Sequence, residues 1–201
     1  MPKIRYFIFD VGDVLVNVSL TRFLKEVTRA FGVSRLRILL NHDQQIVTDL
    51  MTGKMTIEDL HRSTCELYRK NITYEDYTNI WLNMLDGLKP DMIELAEQLQ
   101  SYYQLVILSN IEKVHWKYLQ ENFPIFDKFS PQFLSYRIGV AKPDKRIYEH
   151  VLNEIKALPE ECFFIDDRSE NIKSARKIGI HSHRFRNRKR LERDLKKRGL
   201  I

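Results

Sequence analysis

Residues 4–9, Ile-Arg-Tyr-Phe-Ile-Phe, form a run of aromatic and branched side chains too short for a helix, and they predict a strand buried on both faces. The same pattern predicts strands over 105–108, 162–165 and, with weaker patterning, 179–185. Helical spacings lie between them. Residues 90–102 carry Pro90 near a helix start and apolar Met92, Ile93, Leu95, Ala96 and Leu99; 112–122, 144–157 and 170–178 are spaced similarly. Strands alternating with helices predict an α/β fold with a doubly wound parallel sheet.

Residues 17–86 break the alternation. They hold several helical patterns, with Thr56 and Asp59 spaced as a capping box and Thr73 and Asp76 spaced likewise, and they contain no convincing strand. The expected organisation is an α/β core of 1–16 and 87–201 with a helical insertion over 17–86, placed on the side where the first strand ends.

Composition adds boundaries. With 201 residues and 43% hydrophobic side chains, the chain can bury a core in one domain carrying a modest insertion. No apolar run approaches the length of a membrane span, and Met1 leads straight into a strand-like segment, so a cytoplasmic protein is expected. Cys65 and Cys162 are far apart in apolar contexts and read as reduced. The net charge of +6 is local: residues 184–201 hold nine Lys or Arg against two acids, leaving 24 basic and 25 acidic residues elsewhere. Leu191 and Leu195, at helical spacing in this tail, predict a stripe docked on the core with a solvated basic face. A contact with nucleic acid or another acidic surface is the second reading of that face.

Each of the three clearest strands stops at polar residues: Asp10 after the first, Ser109 and Asn110 after "LVIL", Asp166 and Asp167 after "CFFI". Ligands of open α/β sheets bind beyond the carboxyl ends of the strands, so these groups are expected to converge. Lys142, in "GVAKPDKRIYEHV", precedes a helix that begins near Pro143. Three carboxylates near one point repel one another and call for a cation, for which Mg²⁺ with its oxygen ligands is the natural choice. A lysine and a hydroxyl beside such a site suit a phosphoryl group.

The segments "FIFDVGDVL", "LVILSN", "GVAKPDKRIY" and "CFFIDDRSENIKSARKIGI", in this order, resemble the four motifs of the haloacid dehalogenase (HAD) superfamily. Response-regulator receivers use similar residue types, but there the acidic pair comes first and here it comes last. The resemblance implies a HAD-like Rossmannoid core with a small helical cap inserted after the first motif. It implies Asp10 as nucleophile, and Mg²⁺ held by Asp10, the backbone carbonyl of Gly12, Asp167 and Asp166. Ser109 and Asn110 would bind phosphate, with Lys142 orienting Asp10 while also binding phosphate, and Asn171 falls where a helper of the metal loop is often found. The expected activity is phosphatase action on a small phosphorylated metabolite through an aspartyl phosphate. No membrane or nucleic-acid partner is expected, and the chain would be a monomer or weak dimer.

In the usual pattern of these phosphatases a second aspartate, two residues after the nucleophile, serves as acid and base. Here that residue is Gly12. Losing such help costs about 10²- to 10⁴-fold in rate, least for good leaving groups such as an anomeric or acyl phosphate. Asp13 either reaches the leaving oxygen on a flexible glycine turn or only caps that turn. Some HAD phosphatases with a similar glycine-bearing first motif act on sugar phosphates, which favours a slow or specialised phosphatase. A 2-haloacid dehalogenase, needing no cation at the acidic pair, and a non-catalytic HAD-like binding protein are the alternatives.

Other polar and aromatic positions have plainer readings. His42, Asp43, Gln44 and Gln45 read as a solvated helix face, Trp81 and Trp116 as core. His181 and His183 alternate without ligand spacing.

Overall fold

Within the first strand, side chains alternate between two faces, and both faces are covered. In the computed structural model, which describes residues 3–40 and 43–201, strand β1 is Tyr6–Phe9. Phe7 and Phe9 enter one apolar cluster, and Tyr6 and Ile8 enter another on the opposite side. A short strand β2, Val16–Val18, then leads into five helices: α1 Leu20–Phe31, α2 Arg35–Leu40, α3 Gln44–Met51, α4 Ile57–Tyr68 and α5 Tyr74–Leu82. Strand β3, Leu85–Leu88, returns the chain. Next come α6 Pro90–Gln100, β4 Gln104–Ser109, α7 Lys113–Asn122, β5 Gln132–Leu134 and the one-turn α8 Ser135–Ile138. The chain finishes with α9 Lys145–Ile155, β6 Cys162–Asp166, α10 Ser169–Lys177, β7 His181–Arg184 and α11 Arg188–Lys197.

The main sheet has the order β5-β4-β1-β6-β7, and every pair in it is parallel. Phe9 stands opposite Ile107 of β4 and Ile165 of β6. This register brings the carboxyl ends of the three central strands level, so the residues that follow them emerge side by side. The apolar cluster around Phe7 and Phe9 is closed by α6, α7 and α11; the one around Tyr6 and Ile8 is closed by α9 and α10.

Two elements depart from the sequence reading. Strand β5 was not expected, being only three residues between irregular segments. The pair β2 and β3 is antiparallel, with Val16 opposite Leu88 and Val18 opposite Leu85, and it overlaps both ends of the insertion expected to lack strands. Asp86 and Gly87 are poor strand formers, and what pairs this segment is its return beside β2 rather than its own propensity. The anticipated caps hold in substance. Thr56 and Asp59 form a full capping box. Thr73 accepts from the Asp76 N–H, but the Asp76 carboxylate takes the Thr73 hydroxyl instead of its backbone.

The five helices share their own apolar cluster, including Val27, Phe31, Leu50, Tyr77 and Trp81, with Val114 of α7 packed against it. Gly53, at positive φ, lies so close to the core that an added Cβ would stand 2.5 Å from the Tyr136 carbonyl oxygen. At a second contact the imidazole of His115 lies parallel to the indole of Trp81, 5.4 Å away. Both Trp81 and Trp116 are core residues, and Cys65 and Cys162 are buried free thiols. Asp43 caps α3, Gln44 and Gln45 are exposed, and His42 lies outside the described residues. His183 is paired with Asp194 through Nδ1 at 2.9 Å. Among the described residues no helix is long and apolar enough to cross a membrane.

Helix α11 docks as expected, with Leu191 and Leu195 fully buried. Arg188 fastens it to Glu94 at 2.6 Å, and the Tyr103 hydroxyl donates to the Leu200 carbonyl at 2.9 Å. Leu195→Ala should therefore cost about 2–5 kcal/mol in denaturant unfolding, whereas Lys196→Ala on the exposed face should stay within about 0.5 kcal/mol.

Burial holds the His115 imidazole below its ordinary value despite the Glu112 carboxylate beside it. With Glu112 Oε1 3.1 Å from Nδ1, the folded chain still takes up this proton at lower pH than the unfolded chain, whose imidazole titrates near pH ~6.5. The unfolded state binds more protons in this window, so the contribution is complete above pH ~6.5 and declines as pH falls towards the depressed value. Tm measured against pH should show this decline, and His115→Gln should flatten it.

Candidate active site

Asp10 is the first residue beyond β1, and its position is set by strands on both sides. Its backbone N–H donates to the Ile165 carbonyl at 2.9 Å. Its Oδ1 accepts from the Val11 N–H at 2.7 Å and lies 3.0 Å from Lys142 Nζ. Both contacts fall on Oδ1, which leaves Oδ2 as the oxygen free for other chemistry.

Lys142 comes from the loop between α8 and α9, and its side chain is fully buried. Besides Asp10, the ammonium donates to Asp166 Oδ2 at 2.7 Å and to the Leu108 carbonyl at 2.8 Å, and it lies over the Phe164 ring. Burial opposes its charge, yet the two carboxylates outweigh burial and raise its pKa. Lys142 is therefore a fixed cation.

Asp166, at the end of β6, is fully buried with both oxygens engaged. Oδ1 accepts from the Arg168 N–H and Oδ2 from Lys142, while Asn171 Nδ2 reaches both. Desolvation works against its ionisation, but Lys142 and these donors overcome it and hold the carboxyl below its usual range. Asn171 Oδ1 is buried without a partner among the described residues. Asp167 is half-buried and pushed up by desolvation, then by the charges of Asp166 and Asp13. Burial likewise pushes Asp10 up to about 7, with Lys142 opposing it and Asp166 adding to it.

Asp10, Asp166 and Asp167 can each offer one oxygen within 4.8 Å of the others. One ammonium does not offset three carboxylates, and the raised values of Asp10 and Asp167 reflect burial first and the neighbouring carboxylates second. The donor set is entirely hard oxygen, which fits a small divalent cation.

Ser109 ends β4, one residue after the Leu108 carbonyl that accepts from Lys142, and is buried. Asn110, expected beside a bound phosphate, follows Ser109 and bonds the Lys142 backbone through its side chain. Its Nδ2 donates to the Lys142 carbonyl at 2.7 Å and its Oδ1 accepts from the Lys142 N–H at 2.8 Å, so the side chain is spent clamping the lysine's backbone.

The turn after Asp10 reverses the expected division of labour. Asp13, not Gly12, has the left-handed φ of 56°. Asp13 donates its N–H to the Val16 carbonyl, and its Oδ1 accepts from the Val18 N–H at 3.3 Å. Its carboxylate is exposed and caps the turn. A Cβ at Gly12 would meet Val18 Cγ2 at an ordinary 3.5 Å, so space does not demand glycine there.

Sequence reasoning missed Ser135. Its hydroxyl accepts from the Ile111 N–H at 3.1 Å and returns to the Ile111 carbonyl at 3.3 Å, pinning the turn after Ser109. Its one signal in sequence is the short "QFL" run before it, too brief to predict a strand. A cavity of about 540 Å³ between the insertion and α7 is lined by Glu112 and Lys113, among others, but by none of the carboxylates above.

Asn110→Ala should release the Lys142 backbone while leaving every carboxylate in place. The expected outcome is weaker binding of inorganic phosphate by about tenfold in calorimetry, with Tm lowered by only a few degrees.

A family model described as haloacid dehalogenase-like hydrolase matches residues 4–179. D-ribitol-5-phosphate phosphatase of Bacteroides thetaiotaomicron is 23% identical over 186 residues, or 89% of this chain and 90% of that protein. A HAD family enzyme of the same organism, solved with magnesium and inorganic phosphate, has a TM-score of 0.83 at 26% identity, covering 94% of this chain and 98% of that one. L-2-haloacid dehalogenase of Xanthobacter autotrophicus is alike in fold alone, with a TM-score of 0.66 at 18% identity over 98% of this chain and 84% of that one.

Proposed function

The chain belongs to the haloacid dehalogenase-like hydrolases, and we propose that it is a Mg²⁺-dependent phosphatase of a small phosphorylated metabolite, acting through an aspartyl phosphate at Asp10. The observation that carries this reading is the Asp10 carboxylate, held by two donors on Oδ1 and left open on Oδ2, between a buried lysine and a second pair of carboxylates. A phosphatase-named relative and a similar enzyme that binds magnesium and phosphate support it.

Asp10 Oδ2 attacks phosphorus, the bond to the leaving oxygen breaks, and water then releases phosphate from Asp10. Lys142 favours the ionised form of Asp10 against burial and offsets charge as the two anions approach, a repulsion of about 4 kcal/mol per charge pair at 4 Å and effective dielectric ~20. The Ser109 hydroxyl donates to a phosphoryl oxygen. Asp10, Asp167 and the Gly12 carbonyl would hold Mg²⁺, with Asp166 in the same cluster mainly anchoring Lys142. Bound there, Mg²⁺ supplies the positive charge that the single lysine does not.

No carboxylate stands at position 12, and the one at position 13 is exposed, with Oδ1 turned to the Val18 N–H at 3.3 Å. The chemistry is therefore suited to leaving groups that depart without protonation, such as an anomeric or acyl phosphate. The five helices between β2 and β3 serve as the cap that selects the organic part of the substrate. This leaves the core, 1–16 and 87–201, to carry the reaction.

Asp10→Asn should abolish turnover and covalent phosphorylation together, read by phosphate release and by intact-mass spectrometry. Gly12→Asp fits the space available and should raise kcat/KM on alkyl phosphates relative to aryl phosphates by at least about tenfold. Asp13→Ala should leave that ratio unchanged; a lowered ratio would make Asp13 the acid. Absence of turnover on a panel of sugar, acyl and p-nitrophenyl phosphates with Mg²⁺ would reject the phosphatase reading.

A further inference from the structure

We propose that Glu112 is a positioning residue that ties the orientation of the helical insertion to the phosphate-binding turn, an inference that rests on the phosphatase reading. Glu112 lies three residues after Ser109 and is 3% exposed. A buried carboxylate is costly unless its oxygens are fully bonded, and these are. Oε2 accepts from the Val114 N–H at 2.6 Å, and Oε1 accepts from the His115 N–H at 2.7 Å, which together cap the start of α7. Oε1 also accepts the indole N–H of Trp81 at 3.0 Å.

Trp81 belongs to the insertion and is held at a second point. The Trp81 carbonyl can only accept, so His115 Nε2, 3.0 Å away, carries the proton and donates it, while the two rings stack. One residue near the end of α5 is thus gripped through both its side chain and its backbone by the first residues of α7. The turn between β4 and α7 is pinned on its other side by Ser135 at Ile111. A shift of α5 pulls on the carboxylate that caps α7, and a shift of the Ser109 turn is passed back to α5. A simple helix cap would need no partner on the insertion.

Trp116 offers a clean way to observe this coupling. Its indole N–H is buried without a partner among the described residues, so Trp116→Phe removes an unsatisfied donor and leaves Trp81 as the sole tryptophan of the two in the chain. In that background, Mg²⁺ and inorganic phosphate are titrated while Trp81 emission is followed and binding is measured by calorimetry. Trp81 emission should change with the same saturation as the heat. Glu112→Gln, which keeps the size but loses one acceptor oxygen, should remove the emission change and weaken phosphate binding by about tenfold. Trp81→Phe in the natural sequence keeps the stack and loses only the N–H donor, and it should weaken phosphate binding severalfold although residue 81 lies on the insertion. Phosphate affinity unchanged in both variants, with only Tm lowered, would overturn the inference. So would calorimetric binding with silent Trp81 emission. Failure of Mg²⁺ and phosphate to bind the unsubstituted protein would instead reject the phosphatase reading and take this inference with it, and that result is seen before any substitution is made.

Discussion

The ammonium of Lys142, buried between Asp10 and Asp166, is the contact on which the site depends. Without it three carboxylates would face one another at the end of a sheet whose strands are buried on both faces, and at least one would take up a proton. The lysine is itself expensive to bury, and its three acceptors, Asp10, Asp166 and the Leu108 carbonyl, account for the three hydrogens it donates. Much of the surrounding polar structure then serves to hold that lysine still. Asn110 clamps its peptide group from both sides, and Asn171 and the Arg168 N–H fix the carboxylate it pairs with.

The sheet places the charges before any side-chain bond is made. Parallel pairing of β4, β1 and β6 in one register makes three separate chain segments end at the same level. Asp10, just beyond β1, and Ser109 and Asp166, the last residues of β4 and β6, share one edge. The insertion leaves from this edge through β2 and returns through β3, so its helices are attached where the chemistry is. Its contacts with the core differ in kind: Gly53 allows a close backbone approach to Tyr136, whereas Trp81 is held by hydrogen bonds and stacking against α7.

The first turn shows how a missing group narrows the chemistry. Glycine at position 12 is not required by backbone conformation or by lack of space, since the strained φ belongs to Asp13 and a Cβ would fit. Asp13 offers a carboxylate in sequence, but its bond to Val18 turns it to the structure of the turn. Under the proposed function, the groups that would hold metal and phosphate stand in place while the second aspartate of the usual pattern is absent, a combination suited to substrates whose leaving group needs no proton.

Much of this was legible along the chain. The three buried strands and the edge strand β7, the helices between them, the docked stripe of Leu191 and Leu195, and Asp10, Ser109, Asp166 and Asp167 at strand ends follow from hydrophobic period and from where it stops. The ordered motifs added the family. Strand β5 and the β2–β3 pair were not legible, because three or four residues carry little periodicity and their hydrogen-bond partners are distant in sequence. The roles of Asn110, Ser135 and Glu112 were hidden for a related reason: polar side chains in turns look alike in sequence, and what each does depends on which distant donor or acceptor the fold brings within about 3 Å. Period and burial are properties of neighbouring residues and can be read from sequence alone. Pairing between Lys142 and Asp166, or Trp81 and Glu112, exists only once tertiary structure excludes water and leaves each group one partner.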